Sequence, residues 1–327
     1  MNTLITGGAG FIGSHLAEKL LAQGERVTVL DDLSTGNLAN IRHVEKHKNF
    51  VFKKGSVLNE KELAPLVANA DKIFHLAAAV GVKYIIEKPL YSMANNILGT
   101  ENVLRLASAR KTPVLITSSS EVYGKLDRFP FREDADRLYG SAFNGRWGYG
   151  LSKAVDEFMA LAYFRERELP AIVVRLFNTV GPRQTGKYGM VIPTLVEQAK
   201  EGKPMTVYGT GKQIRCFCHV HDITNAIMKL MNTNKASGEI VNLGSEEAVS
   251  INELARRIKK MTGSSSKIVH IPYKKAYSPT FDDMLKRVPD LSKAKKLISY
   301  KSTYTLEEIL REVISGQGTS FLQKSKV

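Results

Sequence analysis

The chain lacks the features of a protein held together by covalent cross-links or anchored in a bilayer. Its 327 residues include only two cysteines, Cys216 and Cys218. Two cysteines one residue apart are too few for a disulfide scaffold and lack the spacing of a zinc site, so we expect two reduced side chains and no bound metal. No apolar run approaches the roughly twenty residues that span a bilayer, and we expect no membrane partner. The first predicted strand begins at Asn2, which predicts no signal peptide and a cytoplasmic location.

Acidic residues are also in short supply, because 47 Lys and Arg face 32 Asp and Glu, a net charge of +15. Residues 251–327 hold 16 Lys and Arg against 7 Asp and Glu, a net +9. These basic residues fall in helical patterns without interleaved aromatics, which is typical of solvated helix faces. We therefore expect no nucleic-acid partner, and we interpret the basic half as one that attracts an anionic small substrate.

A glycine-rich turn follows the first predicted strand. Its glycines recur at three-residue spacing, and the turn comprises Gly7, Gly10, Phe11, Ile12 and Gly13. Glycines at a strand-to-helix turn allow a tight bend and let the backbone approach a phosphate. The pattern predicts a dinucleotide site whose pyrophosphate rests on the helix N-terminus.

The second predicted strand ends at Asp31, about twenty residues beyond the turn, where a carboxylate can accept hydrogen bonds from the ribose of a dinucleotide. Such a carboxylate repels a 2′-phosphate, so NAD is favoured over NADP. Asp32 is the neighbouring candidate.

Short apolar strands alternate with helical stretches up to residue 178. Strands are predicted at 3–6, 27–30, 50–52, 72–76, 114–118, 171–177 and 240–243, and helices at 14–23, 60–68, 89–110 and 152–168. This alternation predicts an α/β fold with a Rossmann-type, doubly wound parallel sheet. We predict an NAD-binding domain at 1–178, joined by a returning segment near 218–245, and a smaller C-terminal substrate-binding domain at 179–327.

Two further motifs carry candidate chemistry. Tyr149 and Lys153 are four residues apart, so they share one face of the predicted helix, and the ammonium can stabilise a phenolate that acts as acid or base. Lys153 can also hold the nicotinamide ribose, so both residues are candidate cofactor contacts as well as catalytic residues. The strand at 114–118 delivers Ser119, Ser120 and Glu121 at its carboxyl end, the edge where ligands bind in open sheets. A serine hydroxyl there can hydrogen-bond a substrate oxygen, and Glu121 is a candidate general base.

Together these motifs resemble the extended short-chain dehydrogenase/reductase family of NAD-dependent sugar-nucleotide epimerases, dehydratases and decarboxylases. The resemblance covers nearly the whole chain and adds, to the residues above, the strand end at 75–78, Asn96 and the segment 175–183. It implies cofactor contacts from Ala77, Ala78 and Asn96. It also implies substrate contacts from Asn178 and Arg183, and two arginines, Arg215 and Arg287, on the diphosphate of a nucleotide-sugar, by default a UDP-sugar.

The reaction implied by the resemblance begins with transient oxidation at C4 of the sugar. Tyr149 would take the 4-hydroxyl proton with help from Ser119, while hydride passes to NAD. Glu121 favours proton abstraction at C5 and loss of the C6 hydroxyl, and so a 4,6-dehydratase. A UDP-glucuronate decarboxylase is the alternative, because that group has a similar Thr-Ser-Glu triplet and an arginine like Arg287 followed by Pro-Asp. A 4-epimerase stays open as well.

A non-catalytic sugar-nucleotide sensor is disfavoured, because regulators built on this fold typically lose the tyrosine or the lysine. The resemblance also implies a homodimer formed through helices near 94–110 and 152–168. An apolar stripe suited to that contact comprises Ala154, Val155, Phe158, Met159 and Ala162.

Overall fold

A computed structural model describes residues 1–81, 85, 87–186, 189–276 and 283–316. In chain order its strands are β1 (Asn2–Thr6), β2 (Arg26–Asp31), β3 (Phe50–Lys54), β4 (Lys72–His75), β5 (Val114–Ser119), β6 (Ala171–Leu176), β7 (Thr179–Val180), β8 (Met205–Tyr208), β9 (Ile214–Cys216), β10 (Cys218–His219), β11 (Ile240–Leu243), β12 (Ala248–Ser250), β13 (Ile268–Ile271) and β14 (Lys286–Arg287). The helices are α1 (Phe11–Ala22), α2 (Glu60–Ala68), α3 (Pro89–Ser108), α4 (Trp147–Arg167), α5 (Val191–Lys200), α6 (Val220–Met231), α7 (Ile251–Thr262), α8 (Tyr273–Ala276), α9 (Ser292–Ile298) and α10 (Leu306–Ser315).

Seven strands form one sheet in the order β11-β6-β5-β4-β1-β2-β3, and every neighbouring pair is parallel. The predicted α/β, Rossmann-type fold is therefore confirmed. Its inner strands are nearly continuous apolar runs because helices cover both faces. Leu16 and Ile223 pack on one face, and Val103 and Ala160 pack on the other.

The strand order reverses between β1 and β4. From β1 the chain runs outward through β2 to β3, then crosses back to β4 and continues the other way. The loops after β1 and β4 therefore diverge at the carboxyl edge of the sheet, and ligands bind at such a switch point. The glycine turn follows β1 there, and Ala77 and Ala78 follow β4.

Helix α4 begins at Trp147, five residues before the predicted start at 152. Trp147 is buried and packs in a small cluster with Tyr123 and Phe177, which fixes this first turn despite its two glycines. A Cβ on Gly150 would lie 2.6 Å from the carbonyl oxygen of Glu121, so only glycine lets the helix approach the loop after β5 this closely. This approach brings Tyr149 to the end of β5.

The residues after β6 contribute to both parts of the fold. Helices α5, α7 and α10 pack with β8 around a separate apolar core that includes Ile192, Val207 and Leu254. The chain then returns, because β11 pairs with β6 at one edge of the central sheet. The division into domains stays a prediction. Within the residues described, no helix combines the length and the apolar character needed to cross a bilayer.

Candidate active site

A cavity of about 730 Å³ lies over the carboxyl edge of the central sheet. Its size suits a small-molecule or cofactor site. All predicted site residues except Asn96 and Lys153 line it, namely Gly7, Gly10, Phe11, Ile12, Gly13, Asp31, Asp32, Ala77, Ala78, Ser119, Ser120, Glu121, Tyr149, Asn178, Arg183, Arg215 and Arg287.

The glycine turn forms a cradle that side chains would fill. Gly7 has a φ of +73°, and a Cβ on it would lie 2.6 Å from the backbone nitrogen of Ala77. A Cβ on Gly13 would collide with the carbonyl oxygen of Gly7. The bare backbone thus faces the cavity just before α1, where a helix N-terminus favours a phosphate. The turn fits a dinucleotide.

Asp31 lies at the same end of the cavity, and its carboxylate can accept a further hydrogen bond. Its Oδ2 accepts from the backbone N–H of Ala9 at 2.9 Å, and its Oδ1 accepts from that of Leu33 at 2.8 Å. A carboxylate has more acceptor positions than its backbone contacts occupy here, which fits a ribose hydroxyl group as a further donor. Burial raises the pKa of Asp31, and hydrogen bonds from the backbone of Leu33, Ala9 and Gly10 oppose that rise.

Ser119, Glu121 and Tyr149 meet in the middle of the cavity. Ser119 Oγ accepts from the backbone N–H of Glu121 at 3.3 Å, and the hydroxyl groups of Ser119 and Tyr149 are hydrogen-bonded to each other. Burial and the charge of Glu121 raise the pKa of Tyr149, whereas Ser119 and Arg287 oppose the rise. Tyr149 is therefore a protonated phenol at neutral pH.

Lys153 differs from its predicted placement. Its Nζ donates to Asp156 Oδ2 at 2.7 Å, and both side chains are buried outside the cavity. The ammonium was expected to lower the pKa of Tyr149, but the cation that opposes the rise is Arg287. The catalytic and cofactor-binding roles of Lys153 stay predictions.

Asn96 also lies outside the cavity. Its Oδ1 accepts from the backbone N–H of Ala79 at 2.8 Å, and its Nδ2 donates to Ser152 Oγ at 3.1 Å. The side chain thus ties the loop after β4 to the start of α4. The structure thus gives Asn96 a supporting position, and its predicted contact with the cofactor stays a prediction.

Beyond Tyr149 lies a group of ion pairs that we call the arginine cluster, formed by Arg146, Arg215, Arg287, Glu121 and Asp283. Glu121 pairs through Oε2 with Arg146 and accepts at Oε1 from Arg287 Nη2 at 3.1 Å. Asp283 lies 2.9 Å from Arg215 Nη2, 3.5 Å from Arg146 Nη2 and 4.0 Å from Arg287 Nη2. The sequence predicted diphosphate contacts for Arg215 and Arg287, but Arg287 reaches the carboxylate beside Tyr149.

The charges of the arginine cluster shift the pKa values of its members. Burial raises the pKa of Glu121, but Arg146 and Arg287 outweigh burial and hold it below its usual value. Burial acts on Asp283 in the same direction, and the three guanidinium groups lower its pKa to about 2. Burial and Arg287 lower the pKa of Arg215 to about 10, so it is still protonated at neutral pH. Among the described residues, three guanidinium groups thus surround the two carboxylates of the cluster.

Two predicted substrate residues are engaged elsewhere in the protein. Asn178 has a φ of +23° and donates through Nδ2 to the carbonyl oxygen of Cys216 at 2.9 Å. Arg183 donates to Ser14 Oγ at 3.1 Å and pairs with Glu18, both in α1. Arg183 therefore lies against the helix of the glycine turn. Both residues line the cavity, and their contacts with substrate stay predictions.

Sequence reasoning missed Arg146 and Asp283. Arg146 precedes Tyr149 by three residues, about one helical turn, so helical spacing could have placed both side chains on one face. Asp283 carries no comparable local signal. It pairs with Arg146 across 137 residues of sequence.

The site defines the class of protein before any comparison. A dinucleotide cradle, a Ser–Tyr pair and a cluster of cations share one cavity. These features are typical of an enzyme that uses a dinucleotide to oxidise an anionic substrate. The family model described as GDP-mannose 4,6 dehydratase matches residues 4–313. The chain belongs to this family of NAD-dependent epimerases and dehydratases, which is of the short-chain dehydrogenase/reductase type.

Among relatives, UDP-N-acetyl-alpha-D-glucosaminuronate decarboxylase of Bacillus cytotoxicus is 43% identical over 95% of this chain and 96% of its own length. UDP-glucuronic acid decarboxylase 1 of Xenopus tropicalis is 37% identical over 95% of this chain and 70% of its own length. Among solved structures, UDP-glucuronic acid 4-epimerase of Bacillus cereus, in complex with UDP-glucuronic acid and NAD, is 29% identical with a TM-score of 0.87. The match covers 97% of this chain and 98% of that one.

Proposed function

We propose that the protein is an NAD-dependent decarboxylase of a UDP-linked hexuronate, either UDP-N-acetylglucosaminuronate or UDP-glucuronate. The observation that carries the proposal is that three guanidinium groups, those of Arg146, Arg215 and Arg287, line the cavity that also contains Tyr149. Guanidinium groups that face a substrate cavity favour an anion there. A carboxylate on C6 is such an anion, and guanidinium binds it in a bidentate geometry.

The position of the cluster also suits the chemistry. NAD, held by the glycine turn and Asp31, would supply the hydride acceptor for oxidation at C4, and its positive charge would favour ionisation of the nearby phenol. The ionised Tyr149 would accept the 4-hydroxyl proton, and Ser119 would hold the same oxygen by a hydrogen bond. A ketone at C4 is β to the carboxylate on C6, so the C5–C6 bond breaks with release of carbon dioxide; its electron pair passes into the C4 carbonyl as an enolate, and C5 then takes a proton from solvent. The arginines hold that carboxylate in place beforehand.

The comparisons support this alternative better than the 4,6-dehydratase favoured by the sequence. The dehydratase prediction depended on Glu121 as a base at C5. In the structure both oxygens of Glu121 are engaged by guanidinium groups, which hold its pKa below the usual value and weaken it as a base.

Mass spectrometry of the products tests the proposal. Purified protein is incubated with UDP-N-acetylglucosaminuronate, UDP-glucuronate and UDP-glucose, each with and without NAD. We expect loss of carbon dioxide from one or both uronates and no change in UDP-glucose. Loss of water from UDP-glucose would restore the dehydratase, and a uronate of unchanged mass whose C4 is shown by NMR to be inverted would establish an epimerase.

We also propose that the protein forms a homodimer in the cytoplasm, through α3 and α4. These helices pack side by side and leave apolar side chains exposed, with Leu98 54%, Val155 39% and Phe158 66% accessible. The predicted stripe is only partly available, because Ala154 is buried within the protein. An apolar patch on paired helices is typical of a protein–protein contact.

Replacing Phe158 by Asp is expected to convert the dimer to a monomer, because a charge would be buried in the helix contact. Sedimentation velocity at micromolar concentration measures the change. Val51→Asp is the matched control, since Val51 is an exposed apolar residue on the edge strand β3, and we expect it to leave the dimer intact. A monomeric wild-type protein would contradict the proposed dimer.

A further inference from the structure

Glu121 is held as an ion-pair partner, although its place in the cavity is that of a base. Its Oε2 pairs with Arg146, and its Oε1 accepts from Arg287 at 3.1 Å. A carboxylate between two guanidinium groups is stabilised in its ionised form and is therefore a weak base. Yet Glu121 is close enough to Tyr149 to raise the pKa of that phenol. A sugar whose C4 oxygen lies at Tyr149 has its C5 within reach of the same carboxylate.

The two arginines on Glu121 are not equally fixed. Arg146 has 2% of its side chain exposed, lies 3.5 Å from Asp283, and places its guanidinium carbon 5.6 Å from the centre of the Trp147 ring. It cannot leave Glu121 without displacing that packing. Arg287, by contrast, has 11% of its side chain exposed and lies 4.0 Å from Asp283. When a substrate carboxylate engages Arg287, Arg146 is the cation that stays on Glu121.

We propose that Arg146, positioned by Asp283, decides the fate of the 4-keto sugar by keeping Glu121 from acting as a base at C5. The inference rests on the proposed function, and Arg146 is a positioning residue that acts through Glu121. The step that it suppresses is a proton transfer. The C5–H bond breaks, the proton passes to the Glu121 carboxylate, and the electron pair moves into the C4 carbonyl to give an enolate. Because Glu121 does not take the proton from C5, the C5–C6 bond breaks instead.

Hydrogen exchange at C5 tests the inference. Arg146→Gln is incubated with NAD and UDP-glucuronate or UDP-N-acetylglucosaminuronate, whichever the wild type decarboxylates, in deuterated water. The substrate that has not been decarboxylated is then recovered for NMR. Reversal of the proton transfer in this solvent places deuterium at C5. We expect about tenfold more deuterium at C5 than with the wild type, equivalent to about 1.4 kcal/mol in the barrier. Carbon dioxide release is measured in parallel and should fall.

Two control variants separate this role from a structural one. Arg146→Lys keeps the positive charge beside Glu121 and is expected to restore exchange to the wild-type level. Arg132→Gln alters an exposed arginine that pairs with nearby Asp134 and does not line the cavity, so both exchange and decarboxylation should be unchanged. Should Arg146→Gln not fold, Asp283→Asn loosens Arg146 from its other side, and we expect the same direction of change.

The outcomes distinguish this inference from the proposed function. A folded, NAD-binding Arg146→Gln variant with no more C5 exchange than the wild type overturns the role of Arg146. The same holds for Asp283→Asn if that variant is used, and exchange in Arg146→Lys equal to that in Arg146→Gln also overturns it. A wild-type protein that releases no carbon dioxide from either uronate overturns the proposed function instead.

Discussion

Tyr149→Phe is expected to lower turnover by about a thousandfold, within the range that a positioned acid or base contributes. The phenylalanine ring can keep the packing of Tyr149 but cannot accept the 4-hydroxyl proton. Ser119 also loses the partner of its hydroxyl group, because its other contact is as acceptor from the backbone of Glu121. NAD binding should be nearly unchanged, since the substitution leaves the glycine turn and Asp31 untouched. Initial rates of carbon dioxide release and calorimetric titration with NAD measure the two effects.

Tyr163→Phe is the matched control for this experiment. Tyr163 is on the same helix, its hydroxyl donates to Glu101 at 3.3 Å, and it does not line the cavity. Loss of the Tyr163 hydroxyl group should leave turnover at the wild-type level. If Tyr149→Phe retains a tenth or more of wild-type turnover, the proton acceptor is another group and the role assigned to Tyr149 is wrong.

Arg175→Met is expected to destabilise the fold by about 3 to 5 kcal/mol, the cost of removing one partner from a buried ion pair. Arg175 donates from Nε and Nη2 to the two oxygens of Glu157 at 2.9 and 2.8 Å, and from Nη1 to Tyr123 Oη at 2.9 Å. Both charged side chains are 1% exposed or less. Methionine fills the space but leaves the buried charge of the Glu157 carboxylate only partly neutralised. Urea denaturation followed by circular dichroism measures the loss.

Arg175→Met should lower the free energy of unfolding because the ion pair that it removes is buried. Loss of an exposed ion pair should have a much smaller effect. Arg311→Met removes an exposed i,i+4 pair with Glu307 on α10 and should leave the urea midpoint almost unchanged. Glu157→Gln combined with Arg175→Met removes the carboxylate that Arg175→Met leaves behind, so it should recover part of the lost stability. The recovery should be incomplete because Glu157 also pairs with Arg137. Equal effects from the buried and the exposed substitution would show that the Arg175 pair contributes no more than a surface pair.

The central sheet could be predicted because its signals are local. Each inner strand is a short apolar run bounded by polar residues, and the seven predicted strands all occur. The glycine turn and Asp31 are equally local, since a strand, a turn and a helix follow one another in the chain. The start of α4 was missed because Gly148 and Gly150 oppose a helix, and only the packing of Trp147 makes up for them.

The electrostatic detail of the site could not be predicted, because it depends on partners far apart in the chain. The spacing of Tyr149 and Lys153 was read correctly, but spacing does not reveal that Asp156 takes the ammonium. The sequence likewise separates Arg183 from α1 by more than 160 residues, and the fold brings them into contact. Helical spacing can place Arg146 on the face of Tyr149, but its pairing with Asp283, 137 residues away, can be found only in three dimensions.

The return of the chain to the central sheet determines how this protein can be divided experimentally. A fragment cut at residue 178 contains six of the seven strands but not β11, so β6 becomes an edge strand. Its backbone N–H and C=O groups, and apolar side chains such as Ile172 and Val174, would then be open to solvent and to other copies of the fragment. Such a fragment should aggregate instead of binding NAD, so limited proteolysis or a split-protein design needs cut sites that keep residues 240–243 with the first 178.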